Sequence, residues 1–310
     1  MSSEPASPAP RRSARPHTPH SSARPRPRLA VGYLATPSGA DGVTLAVALA
    51  RATGAAIDLI CVVHPVEYDG HPGLDEYRER LENQAAQWLL DGAAAIPDDI
   101  ETRTIVTVDD SFADGLVTMA QQSGAAMIVV GGTGDGLVRR HSLGTVSTAL
   151  VHSSPLPVAL APRGYAERTE ARFDSVTVAV SSKPGRSDPL PFAVALAEQG
   201  GLDLRLLSLV SIDAPFDDET PRAARERQIG VAEKLLADTR ATVPDELDVD
   251  VLVADGATLD EALDNLPWDD GDIVAVGSGH LGAANRVFLG STAARILRWT
   301  TAPVVVVPRP

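Results

Sequence analysis

Short apolar runs alternate along the chain with longer stretches in which apolar residues recur every three or four positions. Short continuous runs are typical of buried parallel strands, and the longer stretches are typical of helices that pack on a sheet. In the first half of the chain the strands are predicted at Leu29–Ala35, Ile57–Val63, Arg103–Val108, Ala125–Val130 and Val158–Ala161. The helices are predicted at Asp41–Thr53, Leu74–Ala95, Ser111–Ser123 and about Leu143–His152, with Gly54 ending the first and Ser111 capping the third. This alternation predicts a parallel sheet with helices on both faces.

The second half of the chain repeats the first. Its strands are predicted at Val176–Val180, Leu204–Val210, Val249–Ala254, Asp272–Val276 and Val304–Val307. The helical segment AVALA occurs at Ala46–Ala50 and again at the matching place, Ala193–Ala197. A repeat of this length indicates two copies of one domain, because the units of a solenoid are only about 20–50 residues long. We therefore predict a first domain at 28–162, a charged linker at 163–172 and a second domain at 173–310.

Residues 1–27 differ from the rest because they are rich in proline and arginine. Such a segment cannot bury enough apolar surface to offset its ordering entropy, so we expect a disordered tail. A secretory signal is excluded because no apolar core follows the basic residues. A basic arm that contacts a nucleic acid or an acidic partner is the alternative interpretation.

The composition narrows the choice of partners. A formal net charge of −14 argues against nucleic-acid or anionic-membrane binding by the folded part. One cysteine, Cys61, excludes an internal disulfide and a multi-cysteine zinc site. No apolar run approaches the roughly 18 residues that a membrane span needs. We expect a soluble, cytoplasmic protein with no membrane insertion and no nucleic-acid partner.

A glycine-rich stretch follows the fourth predicted strand of each half. The first reads GGTGDGLVRRHSLGT from Gly131 to Thr145, and its counterpart reads GSGHLGAANRVFLGS from Gly277 to Ser291. The first has the spacing G-x2-G-x9-G-[ST] and leads into a helix. Glycines can adopt positive φ and allow the backbone to approach a ligand, and the N–H groups at a helix start attract anions. The candidate binding residues are Gly131, Gly132, Thr133, Gly134, Gly144, Thr145 and Val146 in the first half and Gly277, Ser278, Gly279, His280, Gly290, Ser291 and Thr292 in the second.

The repeated motif and the repeated strand order resemble the universal stress protein family in its tandem, two-domain form. The resemblance covers roughly Leu29–Pro310. It implies two five-stranded α/β domains of strand order 3-2-1-4-5, Rossmann-like and similar to the adenine nucleotide alpha hydrolases. It also implies ATP or a related adenine nucleotide in the cleft, with or without Mg²⁺, and pairing of the two fifth strands. That pairing would make an intramolecular pseudo-dimer, with a homodimer and an unidentified regulatory protein as further partners.

Three positions depart from the family pattern. Members that bind ATP usually end the first strand with an Asp that contacts the nucleoside, whereas Leu34 and Ser181 stand there in this chain. Loss of one such contact costs about 1–3 kcal/mol, or roughly ten- to a hundredfold in affinity. His280 stands where the second motif has its second glycine. The first half therefore retains the better phosphate loop.

A few single residues invite a chemical interpretation. Cys61 and His64 have the spacing C-x-x-H, which indicates either a metal or redox site or, as we favour, a buried cysteine and a loop histidine. Arg139, Arg140 and His141 could contact phosphates or could be solvated loop residues. Asp109 and Asp255 recur at the end of the third strand of each half without an evident partner. Trp88, Trp268 and Trp299 do not recur, so we expect them to pack in the core.

Three functions remain open. The first is a stress-response regulator that binds ATP or a related adenine nucleotide without robust catalysis. The second is an interaction scaffold of the same family that binds no nucleotide. The third is a slow ATPase, although the sequence provides no set of catalytic residues.

Overall fold

The strand–helix alternation predicted from the sequence is present in both halves of the chain. The computed structural model describes residues 26–65, 74–132, 144–168, 172–181, 188–211, 220–280, 287–288 and 291–309. The first half contains β1 (Arg28–Gly32), α1 (Pro37–Thr53), β2 (Ala56–Val63), α2 (Leu74–Ala93), β3 (Thr102–Val108), α3 (Phe112–Gln122), β4 (Met127–Gly131), α4 (Thr145–Ser153) and β5 (Val158–Ala161). The second half contains β6 (Ser175–Ala179), α5 (Leu190–Gly200), β7 (Asp203–Ser211), α6 (Pro221–Arg240), β8 (Val249–Gly256), α7 (Leu259–Asp264), β9 (Asp272–Gly277), β10 (Gly279–His280), β11 (Val287–Phe288), α8 (Ser291–Trp299) and β12 (Val304–Val307). Residues 1–25 of the predicted tail lie outside the described residues.

One ten-stranded sheet runs through both halves, in the order β3-β2-β1-β4-β5-β12-β9-β6-β7-β8. Strands within each half are parallel, and each half has the predicted order 3-2-1-4-5. The fifth strands pair antiparallel, with Leu160 opposite Val304 and Val158 opposite Val306. The predicted fold and the pairing of the two halves are therefore confirmed. Each fifth strand covers an edge of the other that would otherwise be open to association.

The helices cover the two faces of this sheet in matching sets. Leucines of α1, α2, α5 and α6 pack on one face, and apolar residues of α3, α4, α7 and α8 pack on the other. Trp88 packs against the first core, and Trp268 and Trp299 pack against the second, as predicted. Among the helices that the structure describes, none is long and apolar enough to cross a membrane.

The helix ends follow local capping chemistry. Gly54 ends α1 with φ 66°, and Ser111 caps α3 by accepting a hydrogen bond from the N–H of Asp114, so both predictions are confirmed. The predicted start of α1 at Asp41 is wrong, because the helix begins at Pro37. Thr36 caps this start by accepting from Gly39 N–H at 3.2 Å, and proline is well suited to a first turn.

The segment that joins the two halves is fixed to the first half. It contains a 3₁₀ turn, Tyr165–Glu167, in which the Tyr165 side chain is only 1% exposed. Asp41, itself 2% exposed, accepts hydrogen bonds from the N–H groups of Gly164 at 2.9 Å and Ala166 at 2.8 Å. The charged sequence of this segment predicts a plain linker, whereas the 3₁₀ turn is hydrogen-bonded to Asp41 and buries the Tyr165 side chain.

The same segment is also fixed to the second half through Arg168. Its guanidinium donates to the carbonyl oxygens of Asp270, at 2.7 Å, and Thr301, at 3.2 Å. It also lies over the ring of Tyr165, 4.7 Å from the ring centre. The connector therefore holds both halves at defined places.

Candidate functional site

In open α/β sheets, ligands bind beyond the carboxyl ends of the strands. In the first half Gly131 is the last residue of β4, and Gly132 follows it and donates its N–H to the carbonyl oxygen of Ala161 at 2.9 Å. Gly144 caps the start of α4, which begins with Thr145 and Val146. Gly131, Gly132, Gly144, Thr145 and Val146 are thus at the predicted elements, while Thr133 and Gly134 lie outside the described residues.

The glycine at position 131 is required by packing. A Cβ on Gly131 would lie 1.8 Å from the carbonyl oxygen of Ser38, at the start of α1. Gly42 of α1 also lies against this strand, because a Cβ there would lie 3.0 Å from the Gly131 nitrogen. Neither glycine uses positive φ here: Gly144 has φ −73°, and Gly131 is not among the positive-φ glycines of the described residues. Gly131 thus allows a helix to approach a strand, whether or not a ligand is bound.

The start of α4 can nevertheless receive an anion. Gly144 is extended and has no side chain with which to cap the helix. The first hydrogen bond within the helix runs from Thr148 N–H to the Gly144 carbonyl oxygen at 2.9 Å. The N–H groups of the preceding first-turn residues have no partner within the helix, as at every helix start. Together with the helix dipole they attract negative charge.

The second half places its candidate residues around an additional hairpin. Gly277 is the last residue of β9, and the buried Ser278 donates its N–H to Val307 at 3.0 Å. Gly279 and His280 form β10, which pairs antiparallel with β11, with Gly279 opposite Phe288. The sequence pattern did not reveal this hairpin.

The hairpin also bears on a dinucleotide-type spacing that this loop contains. Gly277, Gly279 and Gly282 have the spacing G-x-G-x-x-G of dinucleotide-binding turns, in which the helix begins within the motif. Here Gly279 is in a strand instead, and the following described helix, α8, begins at Ser291. The loop is therefore not that turn. Gly290 lies outside the described residues, and Thr292 is in the first turn of α8.

A cavity of about 910 Å³ lies in the second half, at the upper end of the range for small-molecule sites. It begins at the carboxyl ends of β6, β7 and β9 and continues between α5 and α6. Three residues singled out from the sequence meet on its wall, namely Ser181, Gly277 and Thr292. This cavity thus lies in the second half, whereas the sequence predicted the better phosphate loop in the first half.

Two arginines on this wall were missed by the sequence reasoning. Arg227 of α6 and Arg295 of α8 both line the cavity. Arg295 has a long, exposed contact with Asp260, 3.9 Å, which is worth little. Because α4 begins at Thr145 and α8 at Ser291, the counterpart of Arg295 in the first half is Ala149. That difference between the repeats is the signal that could have identified Arg295.

The positions that usually carry the nucleoside-binding Asp are equivalent in the two halves. Tyr33 N–H donates to the Ile60 carbonyl oxygen and Val180 N–H donates to that of Leu207, both at 2.8 Å. The next residues are Leu34, which is 40% exposed, and Ser181, which lines the cavity. The second half therefore presents a hydroxyl group where the first presents an apolar side chain.

The remaining singled-out cysteine and histidine do not form a site. Cys61 is a free cysteine, 1% exposed, and burial raises the pKa of its thiol. His64 is exposed. In the described ranges no group of three or more His, Cys, Asp and Glu residues could hold a metal ion. The interpretation of Cys61 as a buried strand residue is confirmed.

The recurring aspartates have local partners. Asp109 accepts a hydrogen bond from the N–H of Ser111 at 3.0 Å, at the start of α3. Asp255 forms an ion pair with Arg225 of α6. Both positions are explained by these contacts. Arg139, Arg140 and His141 lie outside the described residues.

Comparison with known proteins agrees with this geometry. The model of the universal stress protein family matches residues 26–162 and 172–308. Universal stress proteins of Mycobacterium tuberculosis and Mycobacterium bovis are each 28% identical over 292 residues, covering 90% of this chain and 99% of the relative.

Solved structures show the same fold at lower identity. A universal stress protein from Archaeoglobus fulgidus has a TM-score of 0.64 at 19% identity, covering 91% of this chain and 98% of its own. A putative universal stress protein from Pseudomonas aeruginosa has a TM-score of 0.52 at 15% identity, covering 91% and 93%. With the family model matched in both halves, this chain belongs to the universal stress protein family, with two tandem domains.

Proposed function

We propose that this chain is a stress-response regulatory protein that binds ATP or a related adenine nucleotide, with or without Mg²⁺, and turns it over slowly or not at all. The observation that carries the proposal is the cavity at the carboxyl ends of β6, β7 and β9, with Gly277 and the start of α8 on its wall. A small-molecule site is expected there from the sheet topology alone.

The phosphates would lie at the start of α8. The N–H groups of Ser291 and Thr292 are in its first turn, and the helix dipole adds to their attraction for an anion. Arg227 and Arg295 also line the cavity and would supply positive charge to it. Arginine suits this role because its N–H groups match the geometry of phosphate oxygens. Gly277, Ser278, Gly279, His280 and Gly290 would form the rest of the phosphate loop.

The nucleoside would lie toward Ser181. Its hydroxyl group can donate or accept one hydrogen bond, in place of the carboxylate that the family pattern has there. Replacing a charged acceptor by a neutral one costs about 1–3 kcal/mol, so we expect binding roughly ten- to a hundredfold weaker than in a relative with Asp. In the first half, Gly131–Gly134 and Gly144–Val146 would offer the equivalent backbone groups, opposite Leu34.

The test is to identify and then titrate the ligand. Purified full-length protein is denatured by heat, and the released small molecules are identified by mass spectrometry. ATP is then titrated into nucleotide-free protein by calorimetry, with GTP and inorganic tripolyphosphate as comparison ligands. We expect a released adenine nucleotide or saturable heat with ATP that exceeds that with GTP. The proposal fails if no nucleotide is released and ATP also produces no heat.

A second candidate, an interaction scaffold without nucleotide, is favoured by one observation in the first half. Gly131 is explained by its contact with Ser38, so the glycine needs no phosphate. Leu34 is also 40% exposed where a nucleoside contact is expected. This candidate predicts that partner binding survives Arg295→Ala, whereas a nucleotide-dependent regulator loses its nucleotide response in that variant.

A further inference from the structure

The two halves contain the same groove, but the cavity in it extends differently in each half. In each half a groove runs between the first two helices on one face of the sheet. In the first half a cavity of about 1080 Å³ occupies part of it. Because α2 and α6 are both 20 residues long and aligned, their residues correspond one to one. The cavity residues Tyr33, Val43, Asp91, Gly92 and Ala95 of the first half correspond to the cavity residues Val180, Leu190, Asp238, Thr239 and Thr242 of the second.

The two cavities extend in opposite directions. The cavity of the second half reaches the carboxyl ends of the strands, where Ser181, Gly277 and Thr292 line it. The cavity of the first half extends instead toward the connector and the second half, where Arg168, Phe173 and others line it. Among its described lining residues, none belongs to the ends of β2 and β4 or to the start of α4.

The ring of Tyr33 fills the part of the first groove that is open beside Val180 and Thr239 in the second. It spans the groove from α1 to α2. A Cβ on Gly39 would lie 3.2 Å from the Tyr33 Cδ2, and a Cβ on Gly92 would lie 2.6 Å from its Cζ. The residue is only 8% exposed. Gly92 therefore provides the space that the end of the ring occupies.

The matching position in the second half is occupied by Val180, a much smaller residue. Opposite it, Thr239 replaces Gly92, and both residues line the open cavity. The threonine side chain fills only part of the space that a tyrosine ring would need. The groove and the cleft at the carboxyl ends of the strands are consequently continuous in the second half.

We infer that each chain has one nucleoside-accepting cleft, in the second half, and that Tyr33 blocks the equivalent cleft in the first. The inference rests on the function proposed above and assigns it to one of two otherwise repeated domains. The nucleoside enters the space beside Val180, while the phosphates lie at the start of α8. The pseudo-dimer is therefore asymmetric in its ligand sites, although it is symmetric in its fold.

The direct test moves the tyrosine from one half to the other. The double variant Val180→Tyr/Thr239→Gly recreates the Tyr33–Gly92 pair in the second half, and Tyr33→Val removes the ring from the first. Titration calorimetry with ATP gives the stoichiometry and affinity of each protein. We expect one ATP per wild-type chain, affinity reduced about a hundredfold or more in the double variant, and the affinity of the one site unchanged within about twofold in Tyr33→Val.

The alternative outcomes are distinct. Two equivalent ATP molecules per wild-type chain overturn the inference and leave the proposed function intact. An affinity changed by Tyr33→Val but not by the double variant also overturns it, since the site is then in the first half. Absence of any ATP binding removes the proposed function and the inference together. Tripolyphosphate that still binds to the double variant shows that the α8 start is intact and supports the inference.

A second measurement does not depend on any variant folding. Wild-type protein is irradiated with 8-azido-ATP, with and without excess ATP, and the labelled peptides are mapped by mass spectrometry. We expect ATP-protected label in peptides from β6, β7 or α6. Protected label in peptides from β1, β2 or α2 contradicts the inference.

Discussion

The carboxylate of Asp41 in α1 accepts a hydrogen bond from the N–H of Gly164 in the connector, at 2.9 Å. The residues are far apart in sequence, and the carboxylate is almost completely buried. Burial raises the pKa of Asp41, while the N–H groups of Ala166 and Gly164 oppose that shift. Through this contact α1 fixes the connector, which leads into the second half.

We predict that Asp41→Asn lowers the free energy of unfolding by about 1–3 kcal/mol. The amide keeps one acceptor oxygen but turns an NH₂ group toward the second backbone donor. Urea denaturation measures the change. The matched control is Asp188→Asn, the corresponding residue of the second half, which is exposed and accepts from Leu190 N–H at 3.0 Å. If both substitutions lower the free energy of unfolding equally, the hydrogen bonds between Asp41 and the connector do not stabilise the protein as we expect.

A second prediction concerns Asp58, which is fully buried in β2. Burial alone would raise its pKa, but hydrogen bonds from Arg28 and Arg103 outweigh this and lower it below the ordinary 3.8. Arg28 Nε and Arg103 Nε lie 2.8 Å and 2.7 Å from its Oδ1. Because the pKa is lowered on folding, the stabilisation is fully present above pH 3.8 and is lost as the pH falls through the folded pKa.

Asp58→Asn should therefore destabilise the protein by about 2–4 kcal/mol at pH 7, less than a fully buried pair because Arg103 is half exposed. Thermal melts of both proteins from pH 7 to pH 3 measure the difference. We expect it to stay constant down to about pH 5 and to shrink below pH 3.8. A difference in stability that grows toward acid pH would show that folding does not lower the pKa of Asp58.

A third prediction tests whether Gly131 is structural. Gly131→Ala places a methyl group 1.8 Å from the Ser38 carbonyl oxygen, so α1 must move away from β4. We expect a loss of about 2–4 kcal/mol in the free energy of unfolding, with no ligand present. Gly230→Ala is the control, because a Cβ there meets nothing within 4 Å and alanine favours the helix. If Gly131→Ala leaves the free energy of unfolding unchanged, packing does not require this glycine and ligand binding remains its explanation.

The sequence predicted the sheet order and the pairing of the halves, because the strand runs and the repeated motif extend over long stretches. It did not predict that the connector is hydrogen-bonded to both halves or that Tyr165 is buried, since Tyr165 is one aromatic residue in a largely polar segment. It also did not predict that the described cavity at the carboxyl ends lies in the second half. The two halves differ there in Tyr33 against Val180, two residues that a simple hydrophobic–polar pattern counts alike. The side-chain volumes of these two residues differ, and a hydrophobic periodicity carries no information about side-chain volume.

A fourth prediction concerns Arg295, which lines the cavity beside the start of α8. Arg295→Ala should weaken ATP binding by about 10- to 100-fold, through loss of a charge-assisted hydrogen bond to phosphate. Adenosine binding should not change. Arg298→Ala, at an exposed position of the same helix, should leave both affinities unchanged. Equal loss of ATP and adenosine affinity would mean that Arg295 supports the fold of the cleft instead.

Native mass spectrometry of the wild-type chain with increasing ATP counts the nucleotide sites of each chain. We expect a complex of one ATP per chain that saturates, and a mass that stays at the free value for the Val180→Tyr/Thr239→Gly variant over the same ATP range. No bound ATP at any concentration, or two ATP molecules bound with equal affinity to wild-type protein, would contradict the account.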